Sequence, residues 1–210
     1  MPLHNVINQK AYRCNVWQIT EDITQLQKLS NATPPASMTV ESRKKERLAC
    51  FALLQAEGLD PRQLHHLANG KPYIEESSTE ISLSHTIGWA ALLTSEQKGV
   101  GIDIERISSR VWNVKDRFIH SEEWQDIQHS GQETHTELTL YWSAKEALFK
   151  ACQASDVHFK TELRLYKSKT TEARKGSFTG VFTRTSEQFH VDYWIEEAFV
   201  LTCCFLTESK

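Results

Sequence analysis

The chain of 210 residues has no apolar run near the roughly 20 residues that a membrane-spanning helix needs. No membrane partner is expected. Its first residues, Met1-Pro-Leu-His-Asn5, lack a charged stretch followed by an apolar one, so no secretory signal is expected either. No C-x-x-C pair occurs, and the five cysteines, Cys14, Cys50, Cys152, Cys203 and Cys204, are odd in number. That predicts reduced, mostly buried thiols in a cytoplasmic protein. Cys203 and Cys204 are neighbours in a strand-like run, which turns them to opposite faces and makes them a poor metal pair. A net charge of -3 gives no broad basic field, so nucleic acid is not an expected partner. There is no low-complexity segment and no short repeat. What remains is ordinary globular composition, 40% hydrophobic and 24% charged, in a chain long enough for one large domain or two small ones.

The chain reads as mixed helix and strand. Residues 11–19 form an opening strand, and Pro34-Pro35 lie in a loop because proline breaks both helices and central strands. The apolar spacing of Leu48, Phe51, Ala52 and Leu54 predicts a helix over about 39–57, ended by Gly58. Its first turns carry Arg43, Lys44, Lys45 and Arg47, of which Arg43 and Arg47 share a face. Taken alone, they read best as a solvated helix surface. Asn69-Gly70-Lys71-Pro72 is a turn that presents Lys71 outward. Ile81–His85, Gly88–Thr94 and the segment around residue 102 follow in quick succession and suggest strands of one sheet with the 39–57 helix packed on it.

Gly99-Val-Gly-Ile-Asp-Ile-Glu105 alternates apolar and polar, so Asp103 and Glu105 share a strand face, with Gly101 leaving open space beside them. Two neighbouring carboxylates repel, and a cation relieves the repulsion; a hard ion such as Mg²⁺ takes such oxygen donors together with phosphates. A half-exposed strand with a solvated acidic face fits the same pattern. Ser121-Glu-Glu123 starts a short helix, Gln128–Glu133 is a loop, and Thr134-His-Thr-Glu137 fits a capping box opening a helix that runs to about Cys152. Within that helix Glu146 and Lys150 lie one turn apart, on one face. A surface ion pair is the plain explanation; a third metal ligand beside a phosphate-binding cation is the other. Residues 163–166, 178–182, 189–195 and 198–205 alternate as the strands of an antiparallel sheet. Each half holds a helix and several strands, which suggests two α+β subdomains, 1–98 and 99–210.

Gly101-Ile-Asp-Ile-Glu105, followed 43 positions after Asp103 by Glu146 in Trp142-Ser-Ala-Lys-Glu-Ala-Leu-Phe-Lys150, resembles the paired signature of the 4′-phosphopantetheinyl transferases. Gly70-Lys71-Pro72 and Leu83-Ser84-His85 resemble that family's upstream elements, and all four stand in family order. The length resembles the larger, monomeric class, built as two similar α+β halves related by pseudo-twofold symmetry. The resemblance implies transfer of the phosphopantetheine arm of coenzyme A to a serine of an apo acyl or peptidyl carrier protein, with release of adenosine 3′,5′-bisphosphate. It implies Mg²⁺ held by Asp103, Glu105 and Glu146, with Glu146 as base and Lys150 on the pyrophosphate. It also implies that Lys71, Ser84 and His85 meet the nucleotide phosphates, as does an arginine such as Arg43 or Arg47. Phe51 stands where the family often has a further arginine. Arg110–Phe118, mixed basic and apolar, suits an acidic carrier helix, and its Trp112 and Phe118 suit a core equally. Two rivals remain at this point. One is a Mg²⁺ nuclease with an acidic strand and a Glu-x-Lys motif, which the Lys145-Glu146 order and the net charge oppose. The other is a non-catalytic protein binding coenzyme A or a carrier, for which three carboxylates are unnecessary.

Overall fold

The structure is a computed structural model that describes residues 3–168, 172 and 174–207. Met1 and Pro2, part of the stretch bearing on a secretory signal, lie outside the described residues. The chain folds as two compact units, Met1–Gln97 and Lys98–Lys210.

In the first unit the elements are β1 (Leu3–Asn8), β2 (Arg13–Gln18), α1 (Ile23–Ser30), α2 (Glu41–Ala56), β3 (Leu64–His66), β4 (Pro72–Ile74), β5 (Glu80–Thr86) and β6 (Trp89–Ser95). The antiparallel order β1-β2-β6-β5 makes one sheet, and β3 and β4 form a small hairpin. α1 opens on a capping box in which the Asp22 carboxylate accepts from the Gln25 backbone N–H at 2.8 Å. It stops at Asn31, whose left-handed φ of 47° ends the helix before the two prolines. α2 ends two residues before Gly58, whose φ of +74° suits a residue without a Cβ. Its buried face, including Leu48, Leu53 and Leu54, joins Trp17, Leu26 and Leu92 in one apolar core.

The second unit contains β7 (Val100–Arg106), a 3₁₀ helix (Ser109–Arg117), α3 (Ser121–His129), α4 (Thr134–Cys152), β8 (Leu163–Lys167), β9 (Lys175–Phe182), β10 (Glu187–Ile195) and β11 (Phe199–Leu206). Its antiparallel sheet runs β7-β11-β10-β9-β8. The four C-terminal strands stand as the alternation predicts. β7 does not join β5 and β6 as expected. It pairs over its whole length with β11, from Val100–Phe205 to Arg106–Phe199, after Gly99 at φ +72° has redirected the chain. Short spacing in sequence does not force pairing when a positive-φ residue turns the strand away.

α4 lies on this sheet and supplies Leu140, Tyr141, Ala147 and Leu148 to a core with Phe178, Phe189 and Tyr193. Its cap differs from the expected box: the carboxylate of Glu133, not the Thr134 hydroxyl, accepts from the backbone N–H groups of His135 and Thr136. Two oxygens satisfy two orphan donors where a hydroxyl serves one. α3 reaches His129, so the loop expected from Gln128 is shorter. The fold class is therefore α+β, as the sequence predicts.

Candidate active site

Gly101, Asp103 and Glu105 occupy one face of β7, and α4 covers it. The open space expected beside Gly101 is filled: a Cβ there would sit 2.0 Å from the Ala147 carbonyl oxygen and 2.9 Å from the Ala151 backbone nitrogen. Glycine is required because the backbone of α4 touches the strand at this point. A second tie fixes the helix. The Ser143 and Thr202 hydroxyls lie 3.0 Å apart, and Thr202 Oγ1 also donates to the Ser143 carbonyl at 3.0 Å. Thr202 stands opposite Asp103 in the β7–β11 register, so α4 is pinned next to the carboxylates.

This contact brings Lys150 to β7. Its ammonium donates to the Ile102 carbonyl at 2.8 Å and to Asp103 Oδ1 at 2.9 Å. Asp103 is only 6% exposed. Burial, reinforced by the Asp103 and Glu105 charges and opposed by Lys150, pushes the pKa of Glu146 up to about 7. Burial and the Asp103 charge likewise raise Glu105, against the pull of the Arg106 backbone N–H and of Lys150. The two shifts have the same origin, a half-dry site with three carboxylates and one ammonium.

That excess of negative charge on oxygen donors fits a hard divalent cation such as Mg²⁺. Among the described residues no three His, Cys, Asp or Glu side chains are gathered as a ready-made metal cage. Mg²⁺ does not require one, since it commonly takes one or two carboxylates and completes its shell with waters and phosphate oxygens.

Next to Glu146 in sequence stands a residue for which the sequence suggested no role. Lys145 is fully buried, and its ammonium donates to Phe118 O at 2.6 Å, Phe159 O at 3.0 Å and Glu123 Oε2 at 2.8 Å. All three N–H donors are thus used. Burial pulls its pKa down to about 8, with the Glu123 carboxylate holding it up. Glu123 in turn accepts from the backbone N–H groups of His120 at 2.8 Å and Leu165 at 3.0 Å. The pair joins α4, α3, β8 and the end of the 3₁₀ helix. Val111 on that 3₁₀ helix and Phe118 just after it are buried, whereas Trp112 is 44% exposed. The Lys115 ammonium lies 5.2 Å from the Trp112 ring centre and 5.1 Å from that of Trp124, with Arg110 and Arg117 on the same segment.

The remaining expected site residues belong to the first unit. Lys71 is not presented outward: its side chain is 10% exposed and ion-paired with Glu80, because an ammonium largely withdrawn from water needs a carboxylate. Ser84 and His85 lie on opposite faces of β5, Ser84 buried and His85 half-exposed. His85 Nδ1 lies 3.1 Å from Glu46 Oε2, and Arg43 reaches the same oxygen at 3.4 Å. Lys45 pairs with Glu41 at 3.6 Å. The Arg47 guanidinium lies 4.9 Å from the centre of the Phe51 ring, and its buried Nε has no hydrogen-bond partner among the described residues. Its charge, after burial, lowers the pKa of His66 on β3.

A family model, the 4′-phosphopantetheinyl transferase superfamily, matches residues 99–204, which include β7 and α4 entire and nearly all of the five-stranded sheet. The chain belongs to this superfamily. A Haemophilus influenzae protein named "Putative 4′-phosphopantetheinyl transferase" is 27% identical over 118 residues, 53% of this chain and 50% of that protein. A Bacillus subtilis 4′-phosphopantetheinyl transferase is 30% identical over 103 residues, 47% of this chain and 46% of its own. The chain spans about half the length of the curated relatives it matches. Among the described residues no helix is long and apolar enough to cross a membrane.

Proposed function

We propose that this chain transfers the 4′-phosphopantetheine arm of coenzyme A to a serine hydroxyl of an apo acyl or peptidyl carrier protein, releasing adenosine 3′,5′-bisphosphate. The observation that carries the reading is the close seating of α4 on β7. It puts Glu146 and Lys150 beside Asp103 and Glu105 within the very region that matches the superfamily.

The serine oxygen bonds to the phosphorus that bears pantetheine as the bond from that phosphorus to the bridging pyrophosphate oxygen breaks. The serine proton passes to Glu146, directly or through one water. Lys150 turns from Asp103 toward a pyrophosphate oxygen and neutralises charge that builds as the bond breaks. Asp103, Glu105 and Glu146 would hold Mg²⁺, which when bound withdraws negative charge from the pyrophosphate. Arg43, Arg47, Lys71, Ser84 and His85 bind the nucleotide phosphates in this reading, with Lys71 exchanging Glu80 for a phosphate. The exposed Trp112, flanked by Arg110, Lys115 and Arg117, suits an acidic amphipathic helix of the carrier. The two units, 1–98 and 99–210 by our sequence boundaries, then divide nucleotide binding from chemistry. The enzyme works as a monomer in the cytoplasm.

The test is intact-mass measurement of several apo carriers incubated with the protein, coenzyme A and Mg²⁺. A gain of about 340 Da, the pantetheine phosphate arm moved by metal-assisted phosphoryl transfer, is expected. Asp103→Ala removes the gain while circular dichroism stays native. No gain on any carrier refutes the transferase reading.

A further inference from the structure

β11 reads Phe199-Val-Leu-Thr-Cys-Cys-Phe-Leu206, an apolar strand with a single hydroxyl, on Thr202. That side chain is fully buried, and so is its partner, Ser143 on α4. Burying a hydroxyl costs free energy that a valine of the same shape would not. The hydroxyl must therefore do something that packing does not.

Its protons show what. Thr202 has one hydroxyl proton to give, and the Ser143 carbonyl can only accept, so the proton goes there, across 3.0 Å. In the contact between the two hydroxyls, also 3.0 Å, Ser143 is then the donor and Thr202 the acceptor. A serine within a helix ordinarily returns its proton to a carbonyl one turn back, here that of Thr139. Thr202 instead holds α4 twice at one residue, by side chain and by backbone. The contact of α4 with Gly101 sets how near the helix comes to β7, but a flat contact allows sliding and turning. Directional hydrogen bonds do not. Ser143 precedes Glu146 by three residues and Lys150 by seven, about one and two turns. Thr202 stands opposite Asp103. The double bond therefore ties α4 to the sheet at the level of Asp103, and sets where Glu146 and Lys150 fall along β7.

We propose that Thr202 is a positioning residue: its hydroxyl fixes the slide and turn of α4, and so governs the chemical step rather than the binding of coenzyme A. The identity of that step rests on the transferase reading; the geometry of the grip does not.

Thr202→Val keeps the shape of the side chain and removes both bonds. Ser143 then turns its proton to the Thr139 carbonyl, so the fold holds. The double variant Ser143→Ala/Thr202→Val leaves no hydroxyl to satisfy and guards against misfolding of the single one. In both, kcat should fall about tenfold, with KM for coenzyme A within about twofold of the parent. Ser143→Ala breaks one bond of the two and should lose less, and the double variant should lose no more than Thr202→Val, because the two hydroxyls act as a unit. Thr202→Ser keeps the hydroxyl and should restore kcat to within about threefold. Calorimetry of Mg²⁺ with metal-free protein reads the same geometry without any carrier: affinity should drop about tenfold in Thr202→Val and return in Thr202→Ser. That pattern supports the proposal even if no carrier is modified by the parent, in which case only the transferase reading falls. A loss that lies in KM, a loss that Thr202→Ser does not restore, or Mg²⁺ affinity alike in parent and Thr202→Val overturns it.

Discussion

Gly101→Ala tests the contact on which the site depends. The new Cβ would stand 2.0 Å from the Ala147 carbonyl oxygen and within 3.0 Å of two further backbone atoms of α4. None of these is the tip of a flexible side chain, and carbon does not approach carbonyl oxygen much below 3.0 Å. α4 must therefore retreat by about 1 Å, and overpacking against a fixed backbone costs about 3 kcal/mol. In a chain of this size that lowers Tm by about 6–12 °C. The same retreat stretches the Lys150–Asp103 hydrogen bond from 2.9 Å to about 4 Å, past the range in which it holds. Misplacing reacting groups by that much costs about 100-fold in turnover. The assays are thermal unfolding by circular dichroism and the carrier mass shift, run well below the variant's Tm. Gly180→Ala is the control. There the nearest atom is the Leu148 side-chain carbon Cδ2 at 3.1 Å, which can rotate aside, so the expected cost is about 1 kcal/mol or less with turnover retained. If Gly101→Ala melts within about 2 °C of the parent and turns over normally, α4 is not seated on β7 as described.

Lys145→Met leaves Glu123 and two carbonyls buried without their cation, and should destabilise by about 3–5 kcal/mol in urea unfolding; a loss under about 1 kcal/mol would show that the ammonium is not needed there. In metal-free protein Glu146 titrates near 7 instead of its ordinary 4.5, so the folded form holds that proton more tightly. Its contribution is fully present below pH 4.5 and is lost as pH rises through 7, up to about 3 kcal/mol. Glu146→Gln should flatten that part of the stability profile, and Mg²⁺ should offset the loss at pH 7.5; a profile unchanged by the substitution refutes the assignment. If Arg110, Lys115 and Arg117 steer an acidic carrier, kcat/KM should fall with added salt while kcat holds. A flat salt profile argues for another docking face.

The fold was legible where local rules act alone. Alternation in 163–205 identifies four strands, and Gly58 marks the end of α2, because neither depends on distant residues. α1, β1 and the β3–β4 hairpin are too short for periodicity to mark them, and residues such as Leu26 and Ile74 gain meaning only in the packed core. For Trp112 the sequence leaves surface and core equally open; a 3₁₀ helix turns it out and Val111 in.

In the site, the acidic strand and the Glu146–Lys150 pair could be read because period two and period 3.6 put them on defined faces. Their supports could not. Glu123 and Thr202 acquire their roles from partners distant in sequence, 59 positions away for Thr202 and Ser143. Lys145 makes the point physically. It directly precedes Glu146 in the sequence. Buried with three acceptors, it has no donor left to give. The motif therefore encodes two jobs on adjacent residues. Lys145 ties α4 to α3 and β8, and Glu146, about 100° further round the helix, faces the acidic strand. An exchange of the two residues would retain composition and charge, and would lose both the strut and the proposed base.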